Sequence, residues 1–447
     1  MCFETQHSIS VALPPPNGQR PFRSPPFGKI RTHAIRFAVE KSVTTSANFD
    51  AIVVGTGPAG LMAGLALAHE GLHTAVVGPT PENSAAQDPR TTALFAGSIE
   101  LLRHLDVWPI IANTAVPLTG LRFVDDTGHL LRAPETLFCA NELGLDAFGF
   151  NVPNVFLGEA LHQRAQAQTG LSRIAGSVIA LDYQGTHVDV TLSNGQSLRT
   201  ALVAAADGRG STVRAQAGIT HRTWSYPQSA LATTFRHARP HADISTEFHR
   251  SAGPLTTVPL RGTASSLVWV EQPEEAARLK ALSPDLFAAK LEQRLQGLLG
   301  SVSDIGPRSV FPLSGLTADR LAHRRVALVG EAAHVLPPIG AQGLNLGFRD
   351  AAVLADVAGS AKASGHDPGV ETALADYETR RAADVLSRTM AVDLLNRSLI
   401  SGFLPLHLAR GAGLHLLGAF PPLRRLIMRE GMQPSFTLPR LMQPPRV

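Results

Sequence analysis

The sequence predicts an α/β fold in three parts: a Rossmann-like βαβ domain, a second domain of mostly antiparallel sheet, and a helical C-terminus. A strand–glycine–helix–strand unit at residues 49–79 gives the first part. Short strand-like runs in residues 220–310 give the second. Long helical stretches at 343–357 and 370–399, with an apolar and basic tail after them, give the third.

The first unit reads FDAIVVGTGPAGLMAGLALAHEGLHTAVVGP. Residues 50–54 are a short apolar strand rich in Ile and Val. Gly55, Gly57 and Gly60 follow as G-x-G-x-x-G, and residues 58–70 have helical composition up to Gly71. Residues 73–77 are a second strand. Glycines between a strand and a helix suit a dinucleotide site. Gly55 permits the tight turn. Gly57, with φ expected positive, lets the backbone approach a pyrophosphate on the helix N-terminus, and Gly60 lets helix and strand pack closely. Residues 51–68 are apolar for nearly the length of a membrane span, but the glycines, Pro58 and the second strand oppose that reading. An acidic ribose ligand is expected about 20 residues beyond the glycines. Gly78 and Pro79 stand there, and Glu82 is the substitute within reach.

A chain of 447 residues, 44% hydrophobic and 17% charged, has material for two domains. Cys2 and Cys139 are the only cysteines, so neither a disulfide framework nor a cysteine metal site is expected, and a reducing cytoplasm is the default. A net charge of +4 on this length does not point to nucleic acid, and the 17 scattered histidines lack metal-ligand spacing. Residues 1–47 are proline-rich and basic without an apolar core, which excludes a secretory signal. They read as a disordered leader or an upstream start, with a transit peptide as the alternative.

Residues 81–90 form a polar loop, and 93–105 have helical periodicity. Residues 121–132 suggest a hairpin turning at Asp126-Thr127-Gly128, and 155–169 a helix. Residues 177–206 read as three strands with an Asn194-Gly195 turn before the last. LATTFRHA, STEFHR, GPLTTVPL and SSLVWVEQ are strand-like, and 283–300 is a helix opened by Ser283-Pro284. Residues 325–330 are again an apolar strand. The expected domains are 48–219 with 311–398, in which 110–150 contributes to the second domain; 220–310, the sheet domain; and 399–447, the C-terminal helical segment. In the sheet domain Phe235, Phe248, Leu255, Leu260 and Trp269 suit either an apolar substrate cavity or ordinary core.

Two further stretches bear on chemistry. In residues 205–214, AADGRGSTVR, a strand leads to an Asp207-Gly208 turn able to set a carboxylate and backbone near a nucleotide. In residues 330–345 a strand ends, Glu331 follows, and a Gly/Pro loop enters a helix near Gly343, an electropositive end aimed at an anion or polarised carbonyl. His334 reads as a packed residue rather than a base.

Together GTGPAG, DPRTTAL, AADGRGSTVR, GEAAHVLPPIGAQGLNLGFRDAAVLADV and YETRRAADV resemble the single-component FAD-dependent aromatic hydroxylases, most closely those of ubiquinone biosynthesis. The resemblance covers residues 50–397 and implies a p-hydroxybenzoate-hydroxylase-like fold. It implies that Gly55, Gly57, Pro58, Ala59 and Gly60 bind the FAD pyrophosphate, and that Arg90 reaches the FAD. It further implies that Asp207 and Gly208 meet the pyrophosphate or ribose, and that Glu331 holds ribitol, where the family more often has Asp. Pro338, Gly340, Gln342, Gly343, Leu344 and Asn345 would line the N1–C2 edge of the isoalloxazine, with PIGAQG in place of the commoner PIAGQG. The implied reaction is hydroxylation of a polyprenylated phenol by O2 through a C4a-hydroperoxyflavin. NAD(P)H would be a transient donor, since no second G-x-G-x-x-G is present. A flavin-dependent prenyl reductase, a hydroxylase of a soluble aromatic compound and a non-catalytic prenyl-binding escort are the alternatives. No residue is singled out as the phenol-activating base. Residues 403–432 interleave leucines with Arg410, Arg424, Arg425 and Arg429, which suits a peripheral contact at the inner membrane or with a ubiquinone-biosynthesis complex.

Overall fold

A computed structural model of the chain describes residues 47–80, 88–128, 134–400, 420–432 and 438–444. One mixed sheet has eight strands: β1 (Ala47–Val54), β2 (Thr74–Gly78), β8 (Leu171–Ala175), β9 (Val178–Tyr183), β10 (Val188–Leu192), β11 (Ser197–Ala205), β18 (Ala322–His323) and β19 (Val326–Leu328). Its central strands run in the order β19-β11-β1-β2-β8, all parallel. Residues 51–54 of β1 are buried on both faces, which explains an unbroken Ala-Ile-Val-Val run instead of alternation. Because the strands are parallel, β1, β11 and β19 end at the same edge.

Helix α1 (Pro58–His69) starts with Pro58 in its first turn, where a missing N–H costs nothing. It packs against α8 (Gln342–Ala363). Gly330 and Gly347 allow this crossing: a Cβ on Gly347 would lie 3.2 Å from the Gly330 Cα, and one on Gly330 would lie 3.1 Å from the Ala59 Cβ.

The second sheet has nine strands: β5 (Gly120–Asp125), β6 (Thr136–Cys139), β12 (His221–His237), β13 (Ile244–His249), β14 (Leu255–Leu260), β15 (Ala264–Glu271), β16 (Val302–Ser303), β17 (Ser309–Ala318) and β20 (His334–Val335). It is antiparallel except that β5 runs parallel to β13. The long β12 carries Pro227 where its pairing with β17 shifts between Ser225 and Ser229, the place where a strand tolerates a residue without an N–H. A small third sheet, β3 (Thr91–Phe95), β4 (Val116–Pro117) and β7 (Gly149–Pro153), packs against β14 of the second through β4 and β7.

The two faces of the nine-stranded sheet differ. On one, Leu231, Phe235, Phe248, Leu255 and Trp269 pack with Leu279 of α6 (Pro273–Ala281) and with Phe287 and Leu291 of α7 (Pro284–Arg294). On the other, Leu121 and Phe123 of β5 join Phe95, Phe138, Phe148 and Ala341. The Thr91 hydroxyl meets that of Ser266 at 2.8 Å on this second face.

Three expectations are corrected, and for the apolar residues of the sheet domain the core alternative holds for four of five. Residues 93–105 begin as strand β3 and become α2 (Ala96–His104) only at Ala96. The expected helix 283–300 ends at Arg294, and α6 precedes it. Phe235, Phe248, Leu255 and Trp269 are core beneath α6 and α7, not a cavity wall, while Leu260 is half-buried outside that cluster. Gly57 has φ −70°. The remaining helices are α3 (Trp108–Ile111), α4 (Asn154–Ala167), α5 (Thr212–Gln216), α9 (Glu371–Ile400) and α10 (Pro421–Met432).

Candidate active site

The ends of β1, β11 and β19 bring three of the sequence-predicted segments together. Gly55 follows β1 at φ +121°, and a Cβ there would lie 2.2 Å from the Ala206 carbonyl oxygen and 3.1 Å from the Asp207 nitrogen. A Cβ on Gly60 would lie 2.1 Å from the Gly55 oxygen. These two glycines are required by the packing of the chain on itself. Gly57 is different. Its backbone is in a conformation open to any residue, it is exposed, and a Cβ would meet nothing within 4 Å. The first bond of α1 is Leu61 N–H to Gly57 O, so the N–H groups of Ala59 and Gly60 have no partner in the helix. An open, donor-rich helix start suits an anion.

After β11, Asp207 Oδ2 accepts from Val213 N–H at 3.2 Å and from the Thr212 hydroxyl at 3.4 Å. Its Oδ1 is buried without a donor. Buried acceptors are normally paired, and a sugar hydroxyl would supply the missing donor. After β19, Gly330 turns at φ +62° and projects Glu331, whose carboxylate is exposed and 3.7 Å from Arg209. Arg90 is at the same edge, its charge interacting with that of Glu331. Its guanidinium is forked onto Asp88 at 2.7 and 2.8 Å and lies 5.0 Å above the Phe311 ring. The Asp88 bond, outweighing burial, raises the Arg90 pKa. The Gly78-Pro79 position abuts Thr56, whose hydroxyl donates to Pro79 O. Glu82 lies outside the described residues.

The fourth segment is the entrance to α8. Pro338, Gly340 and Gly343 are exposed, and Gly343 has open space where a Cβ would be. Gly340 and Ala341 both have positive φ, +63° and +52°. Asn345 holds this strained entry. Its Nδ2 donates to Ala341 O at 2.7 Å and Ala93 O at 2.8 Å, while its Oδ1 accepts from Phe95 N–H and the Ser98 hydroxyl. With its side chain saturated, Asn345 offers a ligand only its backbone; half-buried Leu344 is in the same first turn. Gln342 also turns inward, donating to Gly340 O at 3.0 Å and accepting from Arg388 at 3.3 Å.

Sequence reasoning missed the buried network beneath this edge. Asp350 of α8 accepts from Gly330 N–H at 2.9 Å, His334 Nε2 at 2.7 Å and Arg381 Nε at 2.7 Å. Arg381 continues to Asp384 at 2.6 Å, and Tyr377 donates to Leu328 O at 2.6 Å. Burial raises the Asp350 pKa, but the His334 and Arg381 charges and the hydrogen bonds outweigh it and hold the carboxyl well below the usual range. His334 is thus a packed residue. The sequence carried part of the signal: Arg349 and Asp350 fall within an apolar helical stretch and need partners there, whereas Arg381 and Asp384 lie in a charged one.

A family model described as "FAD binding domain" matches residues 48–388. The chain is 36% identical to Ubiquinone hydroxylase UbiL of Rhodospirillum rubrum, over 89% of this chain and 92% of that protein. The chain belongs to the ubiquinone-biosynthesis hydroxylase family of FAD-dependent monooxygenases. It is also 31% identical to the 3-demethoxyubiquinol 3-hydroxylase of Escherichia coli, over 81% of this chain and 93% of that one. Among solved structures, p-nitrophenol 4-monooxygenase PnpA from Pseudomonas putida shares the fold, with a TM-score of 0.68 at 20% identity, covering 90% of this chain and all of that one. As an FAD-dependent monooxygenase of this family, the chain has a cradle whose open Gly57, unpaired Asp207 Oδ1 and two exposed helix starts fit that cofactor.

In this hydroxylase the second face of the nine-stranded sheet adjoins the α8 entrance through Ala341. There Phe95, Phe138, Phe148 and Met428 form an apolar cluster with Leu121 and Phe123. Phe123 and Phe138 meet edge to face at 5.6 Å.

Proposed function

We propose that this chain hydroxylates the ring of a polyprenylated phenol on the path to ubiquinone, with O2 as oxygen source and NAD(P)H as a visiting donor. The observation that carries the reading is the aromatic cluster on the sheet face beside the α8 entrance, in a chain whose relatives are named as ubiquinone hydroxylases. In this reading the α1 N-terminus at Gly57 and Ala59 binds the pyrophosphate, and Asp207 and Glu331 receive sugar and ribitol hydroxyls. The backbone of residues 340–345 and the α8 N-terminus face the carbonyl edge of the flavin ring and stabilise negative charge there. Bound FAD supplies the electron transfer and oxygen activation. The chain's own share is to orient the phenol against that ring and to exclude water with its apolar walls.

Deleting the gene and profiling quinone precursors tests the substrate. The expected result is loss of ubiquinone with accumulation of a prenylphenol one hydroxyl short. Normal ubiquinone without an accumulated prenylphenol overturns the reading.

A prenylated substrate has to be drawn from lipid, and we infer that α10 meets the membrane surface. No described helix is long and apolar enough to cross a bilayer. Helix α10 buries Met428 in the aromatic cluster but exposes Leu426 and Ile427, with exposed Arg425 and Arg429 beside them. Phe420, just before the helix, is exposed too. Arg424 belongs elsewhere: it donates to Leu137 O and to Glu142 and lies 4.6 Å over Phe138. Residues 403–419 of the expected amphipathic segment lie outside the described residues. The double variant Arg425→Gln/Arg429→Gln is expected to bind anionic vesicles roughly thirtyfold more weakly, from about 1 kcal/mol per arginine lost. Undiminished flotation with such vesicles overturns the membrane contact.

A further inference from the structure

On the second face of the nine-stranded sheet a buried titratable pair borders the aromatic cluster, which Arg424, ion-paired to Glu142, covers at Phe138. His249 of β13 is directed at Glu247 of the same strand, Nε2 to Oε1 at 2.8 Å, and the second carboxylate oxygen accepts from the Thr256 hydroxyl at 3.3 Å. Both side chains are about nine-tenths buried, at 7% and 11% exposure. Residues 247 and 249 alternate with Phe248, which points under α6 and α7, so they face the other way. Register confirms the side: Glu247 pairs with Phe123, and the Phe123 ring meets the His249 ring at 5.5 Å. Phe123 belongs to the aromatic cluster that reaches Ala341. His249 therefore flanks the surface assigned above to the phenol.

We propose that His249, oriented by Glu247, is the base that takes the phenol proton; this rests on the hydroxylase reading of the site. A carboxylate on Nε2 makes that nitrogen the N–H of the neutral ring and leaves a lone pair on Nδ1. Nδ1 has no hydrogen-bond partner in the described chain. In the step, the phenol O–H bond breaks and the proton moves to Nδ1. The resulting imidazolium is neutralised by Glu247, and the ring gains the electron density that attack on an electrophilic oxygen requires. No electron changes hands in the step. An aromatic surface with one buried acid–base pair does this better than a wet one, because both charges of the product are held by fixed partners.

The other charged groups around the pair are already engaged. Neighbouring β14 presents no titratable side chain. From β5, Asp125 accepts from the Thr127 N–H and hydroxyl. Arg250, next in sequence, is directed at Glu271 at 2.5 Å, with Asp126 at 3.9 Å.

The test uses the FAD-loaded enzyme and a 2-prenylphenol carrying two isoprene units. Two measurements are made at a series of pH values. One is the absorbance of the bound phenol with oxidised flavin, which reports its ionisation. The other is hydroxylated product per flavin in single turnovers, with the flavin reduced photochemically and then mixed with O2. Wild type is expected to ionise the bound phenol well below its solution value near 10. In His249→Asn that advantage disappears, and hydroxylation at neutral pH falls roughly a hundredfold and recovers as the pH rises. Glu247→Gln is expected to move the ionisation in the same direction by less. An unchanged ionisation and an unchanged pH profile in His249→Asn overturn the proposal. So does a wild type that binds the probe without promoting its ionisation. If His249→Asn loses its flavin or fold, Glu247→Gln decides by whether its profile shifts. A wild type that ionises the phenol yet never hydroxylates it contradicts the proposed reaction and leaves the His249 assignment standing.

Discussion

Gly57→Val is expected to yield a folded protein that does not hold FAD. The backbone at residue 57, φ −70° and ψ 172°, suits valine, and no chain atom lies within 4 Å of an added Cβ. The chain alone therefore gives no reason for glycine at this position. The open space at the α1 N-terminus supplies one: a branched side chain there occupies the approach of the pyrophosphate. Gly55→Ala is the contrasting case. A Cβ forced to φ +121° and within 2.2 Å of a carbonyl oxygen strains the β1–β11 junction itself. The measurement is flavin released per protein on denaturation, with thermal unfolding compared against deflavinated wild type, because bound cofactor stabilises by mass action. The expected outcome is loss of flavin from Gly57→Val at the unfolding temperature of the apoprotein, and a lower temperature for Gly55→Ala. Wild-type flavin content in Gly57→Val would falsify the assignment of this residue to the phosphate.

The second large effect is on stability. Asp350→Asn removes one buried charge and leaves Arg381 and His334 facing a neutral amide. Breaking one member of a buried pair costs about 3–5 kcal/mol. The pH dependence has a definite sign. The folded-state pKa of Asp350 is depressed below its unfolded value near 3.9. Its contribution is therefore complete above that value and is lost as the pH falls through the folded pKa. Denaturant midpoints of the apoproteins should show a wide, nearly constant gap between wild type and variant from pH 5 to 8. The gap should narrow below about pH 4. A gap under 1 kcal/mol at neutral pH, or one that does not narrow in acid, shows that Asp350 does not carry this charge.

The βαβ unit was legible because everything it needs lies within thirty residues: a buried strand, the glycines and the helix start. Its neighbours were legible for the same local reason, as with the strand leading to Asp207. The choice between faces of the second sheet was not. Residues 245–249 of β13 are buried on both sides, so alternation tells that Phe248 opposes Glu247 and His249 but not which side meets the cofactor. That depends on β5, more than a hundred residues earlier, and on the helices α6 and α7. The Asp350 network is nearer in sequence, with Gly330 and His334 just before α8 and Arg381 on α9, but which charges meet depends on how the two helices pack. Distance did hide the role of Asn345, which is held by Phe95 and Ser98, 250 and 247 residues earlier. Strand β17 was obscured by Pro312 and Gly315 within it, and β3 by running directly into α2 with no polar break.

The interleaving of the two sheets has a consequence for how the protein is made. Strand β11 finds its outer partner only when β19 emerges, Ala205 pairing with Leu328. The 123 residues from 206 through 328 (328 − 205) take roughly 6–25 s to synthesise at about 5–20 residues per second. Throughout that interval a wholly apolar strand edge, residues 202–205, has no neighbour on one side. An unpaired apolar edge of this kind is open to mispairing until β19 covers it. The third wall of the cradle, from Gly330 to Asn345, is made later still, so the three walls coexist only after residue 345 has been synthesised.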